Sequence, residues 1–177
     1  MKKPLSKGHQ GCPRHAAGLG RLLLPAVLLA TSVHALAADK AGGKIAFKTY
    51  SSDIKYAAIV RGPDEMDESR TVLRIYLSSA DIGAKIKACK TLSCADKALE
   101  DGAMVDFSDA RHLAYAVRLN GSRAQYSGGT DADAFTLTTS KPDQLAGKVH
   151  IDDSGAGGAK VDAQFDLTVS STFTSVR

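Results

Sequence analysis

Residues 161–169 read Val-Asp-Ala-Gln-Phe-Asp-Leu-Thr-Val, with every second side chain apolar. Val161, Ala163, Phe165, Leu167 and Val169 fall on one face, and Asp162, Gln164, Asp166 and Thr168 on the other. A period of two is that of an extended strand with one face on a core and the other in water. Leu113, Tyr115, Val117 and Leu119 repeat the pattern against His112, Ala114, Ala116 and Arg118. Further strand runs are Ile45–Tyr50, Tyr56–Arg61, Thr71–Ser78, Met104–Phe107, Arg123–Ser127, Ala134–Thr139 and Leu145–Asp152, about nine strands in all. Asn120-Gly121 lies between two such runs and is a strong hairpin signal, because both central residues of the tightest hairpin turn need positive φ. Asn120-Gly121-Ser122 also spells a glycosylation sequon. It is read here as a turn, since nothing else in the chain suggests a glycosylating host.

One segment breaks the period. Between about Ala80 and Asp101, Ile82, Ile86, Cys89, Leu92 and Leu99 recur at helical steps, with Ser79 a candidate N-cap and Gly102 a candidate stop. Cys89 and Cys94 flank a point within it. Residues five apart in a continuous helix diverge by about 140°, too far for the geometry of a disulfide. A Cys89–Cys94 bridge therefore requires a helix break near Lys90–Ser93, and the competing reading is two free thiols on an unbroken helix. Two cysteines are too few ligands for zinc. The fold class expected is mainly β, an antiparallel β-sandwich or a partly open barrel, with one helical insertion at about 80–101.

The front of the chain reads differently. Lys2, Lys3, Lys7, Arg14 and Arg21 precede the apolar run Leu22–Ala30, and Ala35-Leu36-Ala37 has the small-x-small form that a signal peptidase cleaves. Pro25 interrupts the run, and Thr31, Ser32 and His34 follow it. The apolar stretch is therefore shorter than the ~20 residues of a membrane-spanning helix. Cys12 precedes the run and cannot be a lipoprotein cysteine. Residues 1–37 are thus expected to be a signal peptide cleaved near Ala37, leaving 38–177 as a single periplasmic or secreted β-rich domain with no membrane anchor.

Charge is affected most by that cleavage. The whole chain carries 23 basic and 19 acidic residues, a net charge of +4. Five of the basic residues and none of the acidic ones lie in 1–37, so 38–177 carries 18 against 19, a net charge of −1. A basic patch for nucleic acid loses its compositional support. Two cysteines in an exported chain are most simply read as a disulfide.

Candidate chemistry is sparse. Asp152-Asp153-Ser154-Gly155-Ala156-Gly157-Gly158 joins two strands and offers carboxylates on a pliable loop, where calcium could find oxygen ligands. It lacks the alternating ligands and closing Glu of an EF-hand, and its glycines do not follow nucleotide-loop spacing. The competing reading is a glycine-rich hairpin tip. Asp131 and Asp133 form a second candidate oxygen-ligand loop, and Asp64, Glu65, Asp67 and Glu68 a third. His112 and His150 are the only histidines of 38–177; both sit on the polar face of a strand without metal-ligand spacing. No G-x-S-x-G elbow accompanies them.

The segments Ala110-Arg111-His112-Leu113-Ala114-Tyr115, Gln125-Tyr126-Ser127-Gly128, Leu145-Ala146-Gly147-Lys148 through Gly158, and Phe165-Asp166 together resemble an uncharacterised family of small exported bacterial β-rich proteins. That resemblance implies location and architecture. The family has no assigned activity, so no catalytic residue is carried over. The leading expectation is a non-enzymatic binding module for another envelope protein or a small ligand. Its rival is a calcium- or zinc-dependent binder or hydrolase using Asp131, Asp133, Asp152 and Asp153.

Overall fold

The computed structural model describes residues 39–108 and 112–177; the leader, 1–37, lies outside them. The period-two runs become strands β1 (Lys40–Phe47), β2 (Tyr50–Ile54), β3 (Tyr56–Pro63), β4 (Thr71–Ser78), β5 (Gly102–Phe107), β6 (His112–Leu119), β7 (Ala124–Asp131), β8 (Phe135–Lys141), β9 (Gln144–Asp152) and β10 (Lys160–Thr172). The run expected at Ile45–Tyr50 takes in the end of β1, a two-residue turn at 48–49 and the first residue of β2. Phe47 pairs with Tyr50, and Lys48 takes a positive φ of 55°, a conformation usually signalled by Gly or Asn. With that hairpin, ten strands lie among the described residues where the sequence led to about nine.

β10 organises the sheet. Its first part is flanked by β1 on one side and β9 on the other, both antiparallel. From Val169 onward it pairs parallel with β3, with an irregularity between Val169 and Ser171. A bulge of this kind bends a strand and strengthens its twist, which lets one long strand serve two stretches of sheet. The order β2-β1-β10-β3-β4-β5-β6-β7, with β9 and β8 branching from β10, curls strongly into an open half-barrel. The antiparallel arrangement expected from the sequence holds for each pair except β3–β10.

The inner face gathers the alternating residues into one core: Ile45, Ile59, Ile75, Leu77, Val105, Val117, Leu145, Val161, Phe165 and Leu167 are among its buried members. Opposite faces of β3, β4 and β5 carry a second core, where Val60, Tyr76 and Met104 meet Ile82, Ile86, Leu92, Ala95 and Leu99 of the helical insertion. β4 is therefore covered on both sides, and this is why its sequence reads as a nearly continuous apolar run. Side chains of this size contribute roughly 1.5–3 kcal/mol each on full burial.

The insertion is two short helices, α1 (Gly83–Ala88) and α2 (Leu92–Lys97). The chain turns out of α1 at Cys89, whose backbone is extended, and Thr91 caps α2 by accepting from the Cys94 N–H at 3.4 Å. Cys89 and Cys94 are bridged across this break, with their Cα atoms 5.5 Å apart. Ser79 does not cap α1: its N–H and hydroxyl instead donate to the Asp101 carbonyl, and the Asp81 carboxylate accepts the Gly83 N–H. Gly102 opens β5 rather than ending a helix; a Cβ there would lie 2.1 Å from the Leu77 carbonyl oxygen.

Asn120-Gly121 does lie in a hairpin, but Leu119 pairs with Ala124, so the loop has four residues. Asn120, Gly121 and Ser122 all take positive φ, near 60°. The loop docks on the end of the insertion: the Gly121 N–H donates to the Asp101 carboxylate and the Ser122 N–H to the Glu100 carbonyl. Among the described residues no helix is long and apolar enough to cross a membrane.

Candidate functional site

The residues singled out in the sequence fall into three places. Asp131, at the end of β7, Asp133, in the 3-10 turn that follows, and Asp153, in the β9–β10 loop, line one shallow depression together with His112, Gly129 and Thr130. Two of the three carboxylate loops thus meet at one edge of the half-barrel. Two of these carboxylates are engaged separately: His112 Nδ1 lies 2.6 Å from Asp131, and the Tyr115 hydroxyl donates to Asp153. Burial, then the Asp153 carboxylate, push the Tyr115 phenol above its ordinary range. Among the described residues no three His, Cys, Asp or Glu side chains are grouped closely enough to hold a metal ion.

Asp152 takes no part in that depression. Lys160 Nζ lies 2.8 Å from it, and the Ser154 hydroxyl and N–H donate to it at 2.6 and 3.1 Å. Lys160 and Ser154 hold its carboxyl down to about 2. The loop Asp153–Ala159 closes on itself, the N–H of Asp153 donating to the Ala159 carbonyl and that of Gly158 to the Asp153 carbonyl. Gly157 takes the left-handed conformation, φ 78°. This is the geometry of a glycine-rich hairpin tip. His150 is 3.4 Å from Asp162 on the sheet's polar outer face.

A different set of residues is brought together on the other side of β4. Arg74, Asp96 and Asp106 are buried in a domain whose interior is otherwise almost wholly apolar. Arg74 on β4 faces Asp106 on β5 in register. Nε and Nη2 of the guanidinium donate to the two oxygens of Asp106 at 2.7 and 2.9 Å, a bidentate pairing. Nη1 donates to Asp96 of α2 at 2.8 Å and to Glu65 of the β3–β4 loop at 2.9 Å. The Tyr76 hydroxyl donates to the other oxygen of Asp96 at 2.7 Å. Arg118 of β6 donates from Nη1 to the Asp96 carbonyl at 2.6 Å, fixing the C-terminal turn of α2.

Electrostatics follow from three carboxylates around one central guanidinium. Burial works against the charge of Arg74, but the bonds and attraction of Asp106, with Asp96 and Glu65, outweigh it and hold the group above its ordinary value. Burial pushes the Asp96 carboxyl up; Arg74 and Tyr76 oppose that rise, and the Glu65 charge adds to it. Burial and Asp96 likewise raise the Tyr76 phenol.

This ionic group floors an open cleft of about 260 Å³, whose walls include Glu65, Met104, Ala114, Ala116, Arg118, Ser127 and Gly128. Ala114 and Ala116 on the outer face of β6 and Ser127 on that of β7 leave the space that larger residues would fill. Its rim includes the β3–β4 loop, which is braced from within. The Asp64 carboxylate accepts from the Met66 N–H at 2.8 Å and from Arg70 at 2.7 Å, and Asp67 accepts from Ser69. The Ser69 bonds hold Asp67 below its ordinary value.

Sequence reasoning missed this cluster except for Glu65. A signal was present: Val72-Leu73-Arg74-Ile75-Tyr76-Leu77 and Met104-Val105-Asp106-Phe107 each place one charge inside an apolar strand. Buried charges are rare unless paired. Two of opposite sign on strands either side of one insertion invite pairing.

No protein-family model, no curated protein and no solved structure matches this chain.

Proposed function

We propose that this chain is an exported, non-enzymatic binding module of the bacterial envelope, and that the cleft over Arg74, Asp96 and Asp106 is its recognition surface. The observation that carries the reading is a fully hydrogen-bonded ionic cluster buried beneath an open cleft on an otherwise apolar scaffold. Burying such a group costs desolvation that apolar packing would avoid, so its presence calls for a role at the surface it supports. Rigid strands and braced loops are the usual support of a binding site. The leader pattern at 1–37 and the resemblance to small exported proteins supply the location.

Two experiments test the reading. Capture from an envelope extract by the tagged protein should yield a partner that Ala114→Trp, which fills the cleft, no longer retains while melting normally. Capture unaffected by this substitution would place recognition elsewhere. Fractionation followed by N-terminal sequencing should find the protein in the periplasm or medium, starting near residue 38. Intact precursor in the cytosol, with Met1 attached, would end the export reading.

A further inference from the structure

We propose that the cleft accepts a lysine or arginine side chain of a partner polypeptide. The inference rests on the reading of the cleft as a recognition surface and names what that surface selects. Charge is the first argument. Glu65, Asp96 and Asp106 supply three carboxylates against the two guanidinium groups of Arg74 and Arg118, and Arg118 Nη1 is spent on the backbone carbonyls of Asp96 and Leu99. The excess is negative. Burial raises the Asp96 carboxyl and the nearby Glu65 charge adds to the rise, so a cation placed beside these two carboxylates would ease their repulsion. Glu65, with about half of its side chain exposed, is the member a newcomer can reach without dismantling the cluster.

Size and shape give the second argument. A cleft of about 260 Å³ is below the ~300–1,000 Å³ typical of sites for free small molecules, and is on the scale of one long side chain. Met104, Ala114 and Ala116 offer apolar wall to the methylene stem of such a side chain, with the carboxylates at its end, the division that long basic residues favour. Recognition by a polypeptide rather than a free amine follows from what surrounds the opening. Met66, next in sequence to Glu65, is 91% exposed on the braced loop. An adaptable thioether held out beside an acidic opening suits residues flanking an inserted side chain.

Amide NMR spectra of the labelled protein, titrated with blocked tripeptides Ala-Lys-Ala, Ala-Leu-Ala and Ala-Glu-Ala and with butylamine, decide the matter. Ala-Lys-Ala should shift Ala114, Ala116, Ser127 and Gly128 saturably and more tightly than butylamine. Glu65→Gln should weaken it by about threefold to fivefold, the scale of a partly exposed ion pair, with the remaining spectrum unchanged. Preference for Ala-Glu-Ala or Ala-Leu-Ala would overturn the basic side chain while leaving the cleft a recognition surface. Butylamine binding as tightly as the peptide would overturn the polypeptide partner. Absence of any shift at the cleft would overturn this inference and the surface on which it rests.

Discussion

Arg74 and Asp106 face each other across the β4–β5 ladder and share two hydrogen bonds, 2.7 and 2.9 Å long, with neither side chain more than 11% exposed. Cross-strand register alone puts them opposite. The short helix α2 then brings Asp96 to the same guanidinium, so the insertion is tied to the sheet by charge as well as by Leu92, Ala95 and Leu99.

Removing one partner from this cluster is expected to be far worse than removing all of them. Arg74→Leu leaves Asp96 and Asp106 buried without their cation and should cost about 3–5 kcal/mol, the usual penalty for stranding a buried charge. Replacing Arg74, Asp96 and Asp106 together by leucine should recover most of that loss. Denaturant titration of the two variants checks the ordering; equal losses would mean that the cluster acts by packing alone.

Titration of Asp96 gives stability a pH dependence of defined sign. Its carboxyl is raised in the folded state, so its contribution is fully present below the ordinary carboxylate value and is lost as pH rises through the folded one. Asp152 works the other way. Held down to about 2, it contributes above the ordinary value and loses that contribution as pH falls toward 2. Unfolding midpoints measured from pH 2 to 8 should therefore show Asp96→Asn removing a decline on the rising side, and Asp152→Asn removing a decline on the acid side. A profile unchanged by Asp96→Asn would mean that Asp96 titrates normally.

The Cys89–Cys94 bridge closes a very short loop, so its effect on the unfolded chain is small. Chain-entropy arithmetic for six residues gives about 2 kcal/mol, and the α2 face buried against β4 remains in place when the bridge opens. Reductant, or Cys89→Ala with Cys94→Ala, should lower the melting temperature by several degrees without loss of the native spectrum. Mass analysis under denaturing, non-reducing conditions should find no alkylatable thiol in this pair. Unfolding on reduction would show that α2 depends on the bridge and not on its core contacts.

Local periodicity carried most of the strand layout, since the inward residues of β6 and β10 recur at every second position and have one place to go. The helix break was legible from the spacing of Cys89 and Cys94. What escaped depended on contacts distant in sequence or on unsignalled turns. Lys48 takes a positive φ without Gly or Asn, so the β1–β2 hairpin left no mark. The switch of β10 from β1 to β3 joins residues far apart in sequence, such as Val169 and Ile59, which no local pattern records. The ionic cluster needed residues 65, 74, 96 and 106 to converge, and each alone reads as a charge in a loop, a helix or a strand. The carboxylate loops were visible as residue types, and the meeting of two of them at one edge required the fold.

That meeting leads to the last expectation. Asp131, Asp133 and Asp153 line one depression, yet Asp131 is engaged by His112 and Asp153 by Tyr115. Calcium would have to take Asp153 from a hydroxyl already donating to it, and to order Asp133 from solvent. Addition of millimolar calcium should therefore leave the melting temperature within a degree, because only ions bound by the native state raise it. A rise that grows with calcium and disappears in Asp131→Asn with Asp133→Asn would instead make this depression a cation site. Tyr115→Phe separates the two cases further: it frees the Asp153 carboxylate, and should create or strengthen a calcium response if the hydroxyl is what denies the ion its ligand.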